Sequence, residues 1–312
     1  MDESPLVIFL MGPTASGKTE LALSLYQQYQ LGLINVDASQ IYTGMDIGTA
    51  KPDRALLKQV PHSLIDIRDP AESYSAADFR QDALGAISAI IKEGKTPLLV
   101  GGTIFYFHAL EYGLSPLPPA DPELRAEITK EAEDVGWPQL HERIAAVDHE
   151  AAKAVHPHDG QRIQRLIELY QLTGEPPSLL RTRQQRSPLP FRILKLAIFP
   201  EDREALHRRI ENRFDLMLRE GLIDEVRMLR ERKDLSVEMP AMKMVGYRQV
   251  WEHLEGFFGY NEMRLRAIAA TRQLAKRQIT WLRKYQGAVY VDGDNQTLLQ
   301  KASCEIDRAI NK

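Results

Sequence analysis

Apolar residues recur along this chain in two rhythms. Residues 5–11, PLVIFLM, are a short unbroken apolar run that ends at a glycine, the pattern of a strand buried on both faces of a parallel sheet. A helix is predicted over 18–30, with Leu21, Leu23 and Leu25 among its apolar positions. Further strands are predicted at 33–36 (LINV), 63–67 (SLIDI) and 97–100 (PLLV). Between the last two, Phe79, Leu84, Ile87, Ile90 and Ile91 fall at helical spacing over 75–93. Strands alternating with helices predict an α/β fold, a parallel sheet core with helices on both faces.

The rhythm changes at SPLPPADP, residues 115–122, a proline-rich break. Asp121 followed by Pro122 marks a helix start. Only helical patterns follow, over 122–135, 138–146, 159–173 (stopped by Gly174) and 177–184. Residues 192–199 (RILKLAIF) read as a strand returning to the sheet. Helices are then predicted over 202–219, 222–232, 241–253 and 261–284, and a last strand over 288–292. The expected organisation is a catalytic core of residues 1–118 and 190–312, interrupted by an all-helical insertion domain over 119–189. No internal repeat or long low-complexity segment is present.

Composition narrows the class. Of 312 residues, 44% are hydrophobic, which supports one large core or two smaller ones. The formal net charge of -3 neither announces nor excludes nucleic acid, so the distribution of charge must decide. The single cysteine, Cys304, excludes an internal disulfide and a four-thiolate zinc site; it is expected to pack near the end of the chain. A reducing compartment fits, and the cytoplasm is expected. The opening MDESPLVIFLMG lacks a basic leader and runs into a glycine loop, so it reads as a buried strand rather than a signal peptide. No apolar run approaches the length of a membrane span, and no membrane partner is expected.

Gly12-Pro13-Thr14-Ala15-Ser16-Gly17-Lys18-Thr19 matches G-x-x-x-x-G-K-[ST] between a predicted strand and a predicted helix. Glycines allow a tight turn that points successive N–H groups at phosphate oxygens, and the helix N-terminus adds partial positive charge. Lys18 supplies a full charge, and the Thr19 hydroxyl can hold Mg²⁺. This P-loop-type element binds a diphosphate or triphosphate. The surroundings argue against a nucleotide hydrolase. Such an enzyme has an apolar strand ending in a metal-holding Asp, whereas strand 97–100 runs into Gly101-Gly102-Thr103. Asp66 is an alternative metal ligand.

Between Arg264 and Gln286 there are seven basic residues (Arg264, Arg266, Arg272, Lys276, Arg277, Arg283 and Lys284) and no acidic one, with Trp281 and Tyr285 among them. Arg162, Arg165, Arg181, Arg183 and Arg186 form a second basic stretch. Cations neutralise phosphates and aromatics stack on unpaired bases, so both stretches suit RNA. Solvated helix faces, with Trp281 in the core, explain them equally well.

Five segments together carry a resemblance: GPTASGKT (12–19), VDASQIYTGMDIGTAKP (36–52), PLLVGGTIFYFHAL (97–110), MVGYRQ (244–249) and ATRQLAKRQITWLR (270–283). The chain resembles the bacterial tRNA dimethylallyltransferases from about residue 7 to 290. It departs from the usual pattern at Asp37-Ala38-Ser39-Gln40, and at Ile104-Phe105, where a leucine is more usual before the tyrosine. Neither departure removes a charged group. The resemblance implies transfer of the five-carbon group of dimethylallyl diphosphate to N6 of the adenosine immediately 3′ of the anticodon, with Mg²⁺ as cofactor. It implies that Thr14, Lys18 and Arg213 touch the diphosphate and that Asp37 is the general base, in a channel open at both ends. A helix cap or metal-shell ligand is the plainer reading of Asp37. The implied tRNA contacts are Asp37, Ala38, Ser39, Gln40, Thr103 and Arg125, and Gln161, Arg162, Ile163, Gln164 and Arg165. Further along they are Lys243, Met244, Val245, Gly246, Tyr247 and Arg248, then Lys276, Arg277, Gln278, Ile279, Thr280, Trp281, Leu282 and Arg283. The insertion would clamp the anticodon stem of a monomeric enzyme. Three rivals stay open at this level: a small-molecule kinase consuming ATP, an adenylate isopentenyltransferase acting on free nucleotide, and an RNA-binding nucleotide switch.

Overall fold

The computed structural model describes residues 4–182, 189–200 and 202–311. Arg183 and Arg186 of the second basic stretch, the Arg181 side chain and the last two positions of the helix predicted over 177–184 lie outside them. The chain divides into two compact units, residues 1–111 with 189–312, and residues 112–188.

In the first unit, β1 (Leu6–Met11) leads through the glycine loop into α1 (Lys18–Gln28). Then come β2 (Leu31–Asn35), α2 (Arg54–Gln59), β3 (His62–Ser63), α3 (Ala76–Lys92), β4 (Thr96–Gly101) and α4 (Ile104–Tyr112). The second unit holds α5 (Pro122–Val135), α6 (Trp137–Val147), α7 (His149–Lys153), α8 (Gly160–Thr173) and α9 (Pro177–Thr182). The chain returns to the first unit with β5 (Arg192–Ile198), α10 (Arg203–Arg219), α11 (Leu222–Glu231), α12 (Tyr247–Leu254), α13 (Tyr260–Leu282), β6 (Val289–Val291) and α14 (Asn295–Ile310).

All six strands are parallel, in the order β3-β2-β4-β1-β5-β6. Alternate residues of β1 enter different cores, as the two-residue period of a strand requires. Val7, Phe9 and Met11 pack with Phe79, Ile87, Phe107 and Leu110 of α3 and α4. Ile8 and Leu10 pack with Leu21 and Leu25 of α1 and Leu298 and Ile306 of α14. The expected sheet with helices on both faces is therefore present. A third core joins α10 to α13 and the loop after β2, through Tyr42, Met45, Phe214, Val226, Tyr247 and Trp251. The helical unit has its own core of Ile128, Leu140, Ile144, Ile163 and Leu166.

Local chemistry sets the helix ends. Ser75 and Asp78 form a reciprocal capping box at α3, and Asp121 caps α5 with Pro122 in its first turn. Three expectations are corrected. The strand predicted over 63–67 shrinks to His62–Ser63, because Leu64 and Asp66 adopt left-handed φ angles of 65° and 54°, which end pairing. The helix predicted over 241–253 starts only at Tyr247, since Gly246 takes a φ of 94°. Cys304 is exposed rather than packed.

The tightest backbone approach lies at the end of β4. A Cβ on Gly101 would stand 2.0 Å from the Val36 carbonyl oxygen, with no flexible group able to yield. Gly101→Ala is therefore expected to destabilise the protein by roughly 3 kcal/mol, read as a lowered thermal midpoint; an unchanged midpoint would contradict this packing.

Candidate functional site

The C-terminal edge of the sheet gathers the chemistry, as expected for an open parallel sheet. After β1 the loop Gly12–Thr19 curls back over the strand ends. Ala15 and Gly17 take left-handed φ angles of 59° and 87°, and the Gly12 amide donates to the Gly101 carbonyl at 3.3 Å. A Cβ at Gly12 would sit 2.7 Å from Ser16 Oγ. Ser16 is buried, and its hydroxyl has no partner. An orphaned polar atom inside a turn of inward-facing amides fits a cradle for an anion.

Lys18 lies in the first turn of α1 and donates to the Pro13 carbonyl at 3.2 Å. Its side chain is partly accessible, yet protein atoms close around it. Burial lowers the ammonium from its usual 10.5 to about 8; Asp37 opposes the shift and Arg213 adds to it. Burial likewise pushes Arg213, on α10, below its usual range, against the pull of Asp37 and Glu20. Two enclosed cations thus share one nearby carboxylate.

Asp37 follows β2 by two residues. Its Oδ1 accepts from the Ser39 amide at 3.0 Å and the Ser39 hydroxyl at 2.6 Å. Its backbone N–H is held by Asn35 Oδ1 at 3.1 Å. The side chain therefore closes a short turn and also lines a cavity. Thr103 Oγ1 accepts from the Ala38 amide at 3.0 Å, tying the β4 and β2 loops together.

A cavity of about 370 Å³ is lined by Thr14, Asp37, Ala38, Ser39, Thr103, Arg213, Lys243–Tyr247 and Gln278. Arg213 also borders a space of about 40 Å³ shared with Lys18, Thr19 and Asp37. It borders a third of about 700 Å³, lined by Lys51, Arg54 and Glu220. Two of these cavities thus share Thr14, Asp37 and Arg213 as lining residues, and the third shares Arg213. Among the described residues, no group of three or more His, Cys, Asp or Glu is placed to hold a metal. The donors available are the Thr19 hydroxyl and the Asp37 carboxylate on the small cavity. Hard oxygens of this kind, completed by diphosphate and water, fit Mg²⁺. Asp66 pairs with Lys51 at 2.6 Å.

The remaining predicted contacts divide by exposure. Lys243, Arg248, Lys276, Arg277, Thr280, Trp281, Arg283, Gln161 and Arg162 are exposed. Ile163 and Leu282 are fully buried in the cores, so their side chains cannot touch a ligand. Ile279 packs beneath Ala15, and Gln40, Met244 and Val245 are half-buried. Trp281 is 45% exposed, which removes its reading as a core residue. Part of the basic helix is neutralised internally: Arg264 pairs with Glu211 and Asp215, Arg272 with Glu211 and Arg266 with Glu262. In the helical unit, buried Glu168 receives Arg125 at 2.8 and 3.0 Å and Arg165 at 2.6 Å. Burial pushes the Glu168 carboxyl up, but hydrogen bonds from Arg125, Arg165 and the Asp121 amide hold it below the usual range. Gln164 donates to the Arg125 carbonyl at 2.9 Å.

Two residues have organising roles that the sequence did not signal. Glu225, buried on α11, accepts from the amides of Asp46, Ile47 and Gly48 at 2.9, 2.7 and 3.1 Å. It also accepts from the Tyr247 hydroxyl at 2.5 Å, and burial with this carboxylate beside it pushes the phenol above its ordinary range. Tyr247 is therefore a buried wall of the cavity. Gln278, expected only as an RNA contact, accepts from the Thr14 amide at 2.9 Å and donates to the Gly102 carbonyl at 2.9 Å.

The sequence profile of the IPP transferase family matches residues 40–285. The chain belongs to that family. It is 53% identical over 306 residues, 98% of each chain, to a tRNA dimethylallyltransferase of Nitrosococcus oceani. It is 57% identical to one of Alkalilimnicola ehrlichii, covering 91% of this chain and 89% of that one. Its structure is similar to that of a tRNA isopentenylpyrophosphate transferase from Bacillus halodurans, with TM-score 0.70, 31% identity and 98% coverage of both chains. A eukaryotic dimethylallyltransferase acting on tRNA gives TM-score 0.73 and 25% identity over 93% of this chain and 74% of that one. As a member of the IPP transferase family the chain is a prenyl-transferring enzyme, and the family works with a divalent metal.

The buried Lys18 predicts a pH dependence. Its cation is present in the free protein below about pH 8 and lost above. Affinity for a diphosphate should therefore be full below pH 8 and fall above it by up to roughly tenfold per pH unit. Calorimetric titration with inorganic diphosphate from pH 7 to 9.5 measures this. A Lys18→Arg protein, whose cation does not titrate in that window, should show no such fall; matching profiles would refute the assignment.

Proposed function

We propose that this protein transfers the dimethylallyl group of dimethylallyl diphosphate to N6 of the adenosine immediately 3′ of the anticodon in tRNA. One observation carries the reading: Thr14 and Ala15 of the phosphate loop, Arg213, Asp37 and the segment Lys243–Tyr247 line one cavity. The Asp37 carboxylate on that cavity is assigned the proton that the acceptor amine loses.

In the reaction the allylic C–O bond breaks and an N6–C bond forms. The electron pair of the broken bond leaves with diphosphate, where Lys18 and Arg213 stabilise the growing negative charge. The Thr14 hydroxyl and the loop amides complete the grip; the Thr14 amide itself is taken by Gln278. The adenine amine is a weak nucleophile because its lone pair is delocalised into the ring. Asp37 accepts the proton that N6 loses, with Ser39 and its amide fixing the carboxylate. Mg²⁺, held by Thr19 beside Asp37, would supply charge neutralisation to the diphosphate.

The target adenine has to leave its loop to reach this cavity. Ala38, Ser39, Gln40 and Thr103 are assigned to its surroundings. Lys243, Arg248, Lys276, Arg277, Thr280, Trp281 and Arg283 are assigned to the tRNA around it. Gln161, Arg162, Arg125, Gln164 and Arg165 place the helical unit on the anticodon stem, the last three in a frame stiffened by Glu168. We read the enzyme as a cytoplasmic monomer; among the described residues no helix is long and apolar enough to cross a membrane.

Labelled dimethylallyl diphosphate with Mg²⁺ and, separately, unmodified tRNA, AMP or ATP tests the reading. Label is expected in tRNA only. Label in AMP would indicate a free-nucleotide acceptor, and consumption of ATP without prenylation a kinase.

A further inference from the structure

Two large aromatic side chains of the first unit stand out of the surface. Phe105, in the first turn of α4, is 47% exposed, and Trp281, in the last turn of α13, is 45% exposed. Their rings meet edge to face, with centroids 6.2 Å apart at 68°. His108, one turn along α4 from Phe105, meets the same indole at 6.3 Å and 78°. Exposing two rings of this size in contact forgoes the gain that burying them would bring. Of the other aromatic side chains of α4, Tyr106 and Phe107 lie in the core, and Tyr112 and His108 are half-buried.

The position of this pair says what it meets. Phe105 is two residues beyond Thr103, and Trp281 is three residues beyond Gln278; both Thr103 and Gln278 line the 370 Å³ cavity. Along the chain, both rings therefore lie within one helical turn of residues that line that cavity. Arg277, four residues before Trp281 on the same helix face, and Lys284, three after it, are exposed. Among the described residues neither has an ion-pair partner within 4.0 Å. Aromatic faces flanked by cations suit one ligand class, an unstacked base with its phosphate.

We propose that Phe105 and Trp281, with His108 behind them, form a stacking platform for the unpaired nucleotide next to the target adenosine. The platform rests on the tRNA-prenylating reading above. It adds the site that holds the neighbour in place while the target is turned into the cavity. Phe105 sets its size: a planar ring offers a face to a base, which an aliphatic side chain of similar volume does not.

The test uses the full protein and a synthetic anticodon stem-loop. Phe105→Leu keeps an apolar side chain at a half-exposed position, so the fold survives. It is expected to raise KM for the RNA about tenfold while KM for dimethylallyl diphosphate and kcat stay within twofold. Trp281→Leu should act in the same direction, and the double variant should fall short of the product of the two. A stem-loop made abasic at the 5′ or the 3′ neighbour of the target should raise the wild-type KM similarly on one side, and on that RNA Phe105→Leu should cost nothing further. An unchanged KM in Phe105→Leu, or a loss equally large on both abasic RNAs, overturns the platform. So does loss of self-association by Phe105→Leu in gel filtration with RNA kinetics intact, which would give the face to a second copy of the chain. Failure of the wild-type protein to prenylate any RNA would instead overturn the functional reading.

Discussion

The site depends on one steric condition, the contact of two backbones at the end of β4. Gly101 lies so close to the Val36 carbonyl that no side chain fits between them. That contact brings the loop after β2 against the loop after β4. The Thr103 hydroxyl then secures the Ala38 amide, and the Gly101 carbonyl receives the Gly12 amide of the phosphate loop. Three loops from three adjacent strands are thereby locked into one surface. Gln278 joins α13 to it by bonding the phosphate loop and the Gly102 carbonyl together. Any shift of α13 is thus felt directly at Thr14, so the basic helix and the anion cradle form one mechanical unit.

Electrostatics completes what the backbone begins. Lys18 and Arg213 are enclosed with Asp37 as the shared counter-charge, an arrangement that disfavours both cations until an anion arrives. Two other buried carboxylates, one in each unit, act in the opposite sense, each satisfied by the donors around it. Glu225 gathers three backbone amides and a tyrosine hydroxyl behind the cavity wall. Glu168 gathers two arginines within the helical unit. Each is satisfied by several donors, the condition under which a buried carboxylate organises its surroundings rather than weakening them.

Much of this was legible in the residues. The apolar run of β1, the glycine loop and the helical periods of α3, α5 and α8 needed only local rules. What escaped was whatever those rules do not see. Leu64 and Asp66 look like strand residues, yet tertiary contacts, including the Asp66 pair with Lys51, hold them in left-handed conformations. Helix α4 has no polar stripe, because apolar residues and aromatics occupy its exposed turn as well as its buried faces, so its period gave no signal. Helix α14 was missed despite a readable one: Asp294 as cap, and Leu298, Ala302 and Ile306 at four-residue spacing. The loop, Asp37 and Arg213 were identified by motif, and their convergence needed the fold. The roles of Glu225 and Gln278 were invisible because their partners lie 177 to 179 and 264 residues away in the chain. The family resemblance also placed Ile163 and Leu282 among RNA contacts, although their motifs merely carry them as core residues between exposed cations.

The central claim is that Asp37 takes the N6 proton opposite a cradle that grips the isoprenoid diphosphate. Single-turnover prenylation of tRNA by Asp37→Ala, with both substrates saturating and RNA affinity measured in parallel, tests it most directly. The account predicts a chemical rate lowered by about 10²–10⁴-fold with tRNA binding retained. A rate equal to that of the unaltered enzyme would contradict it.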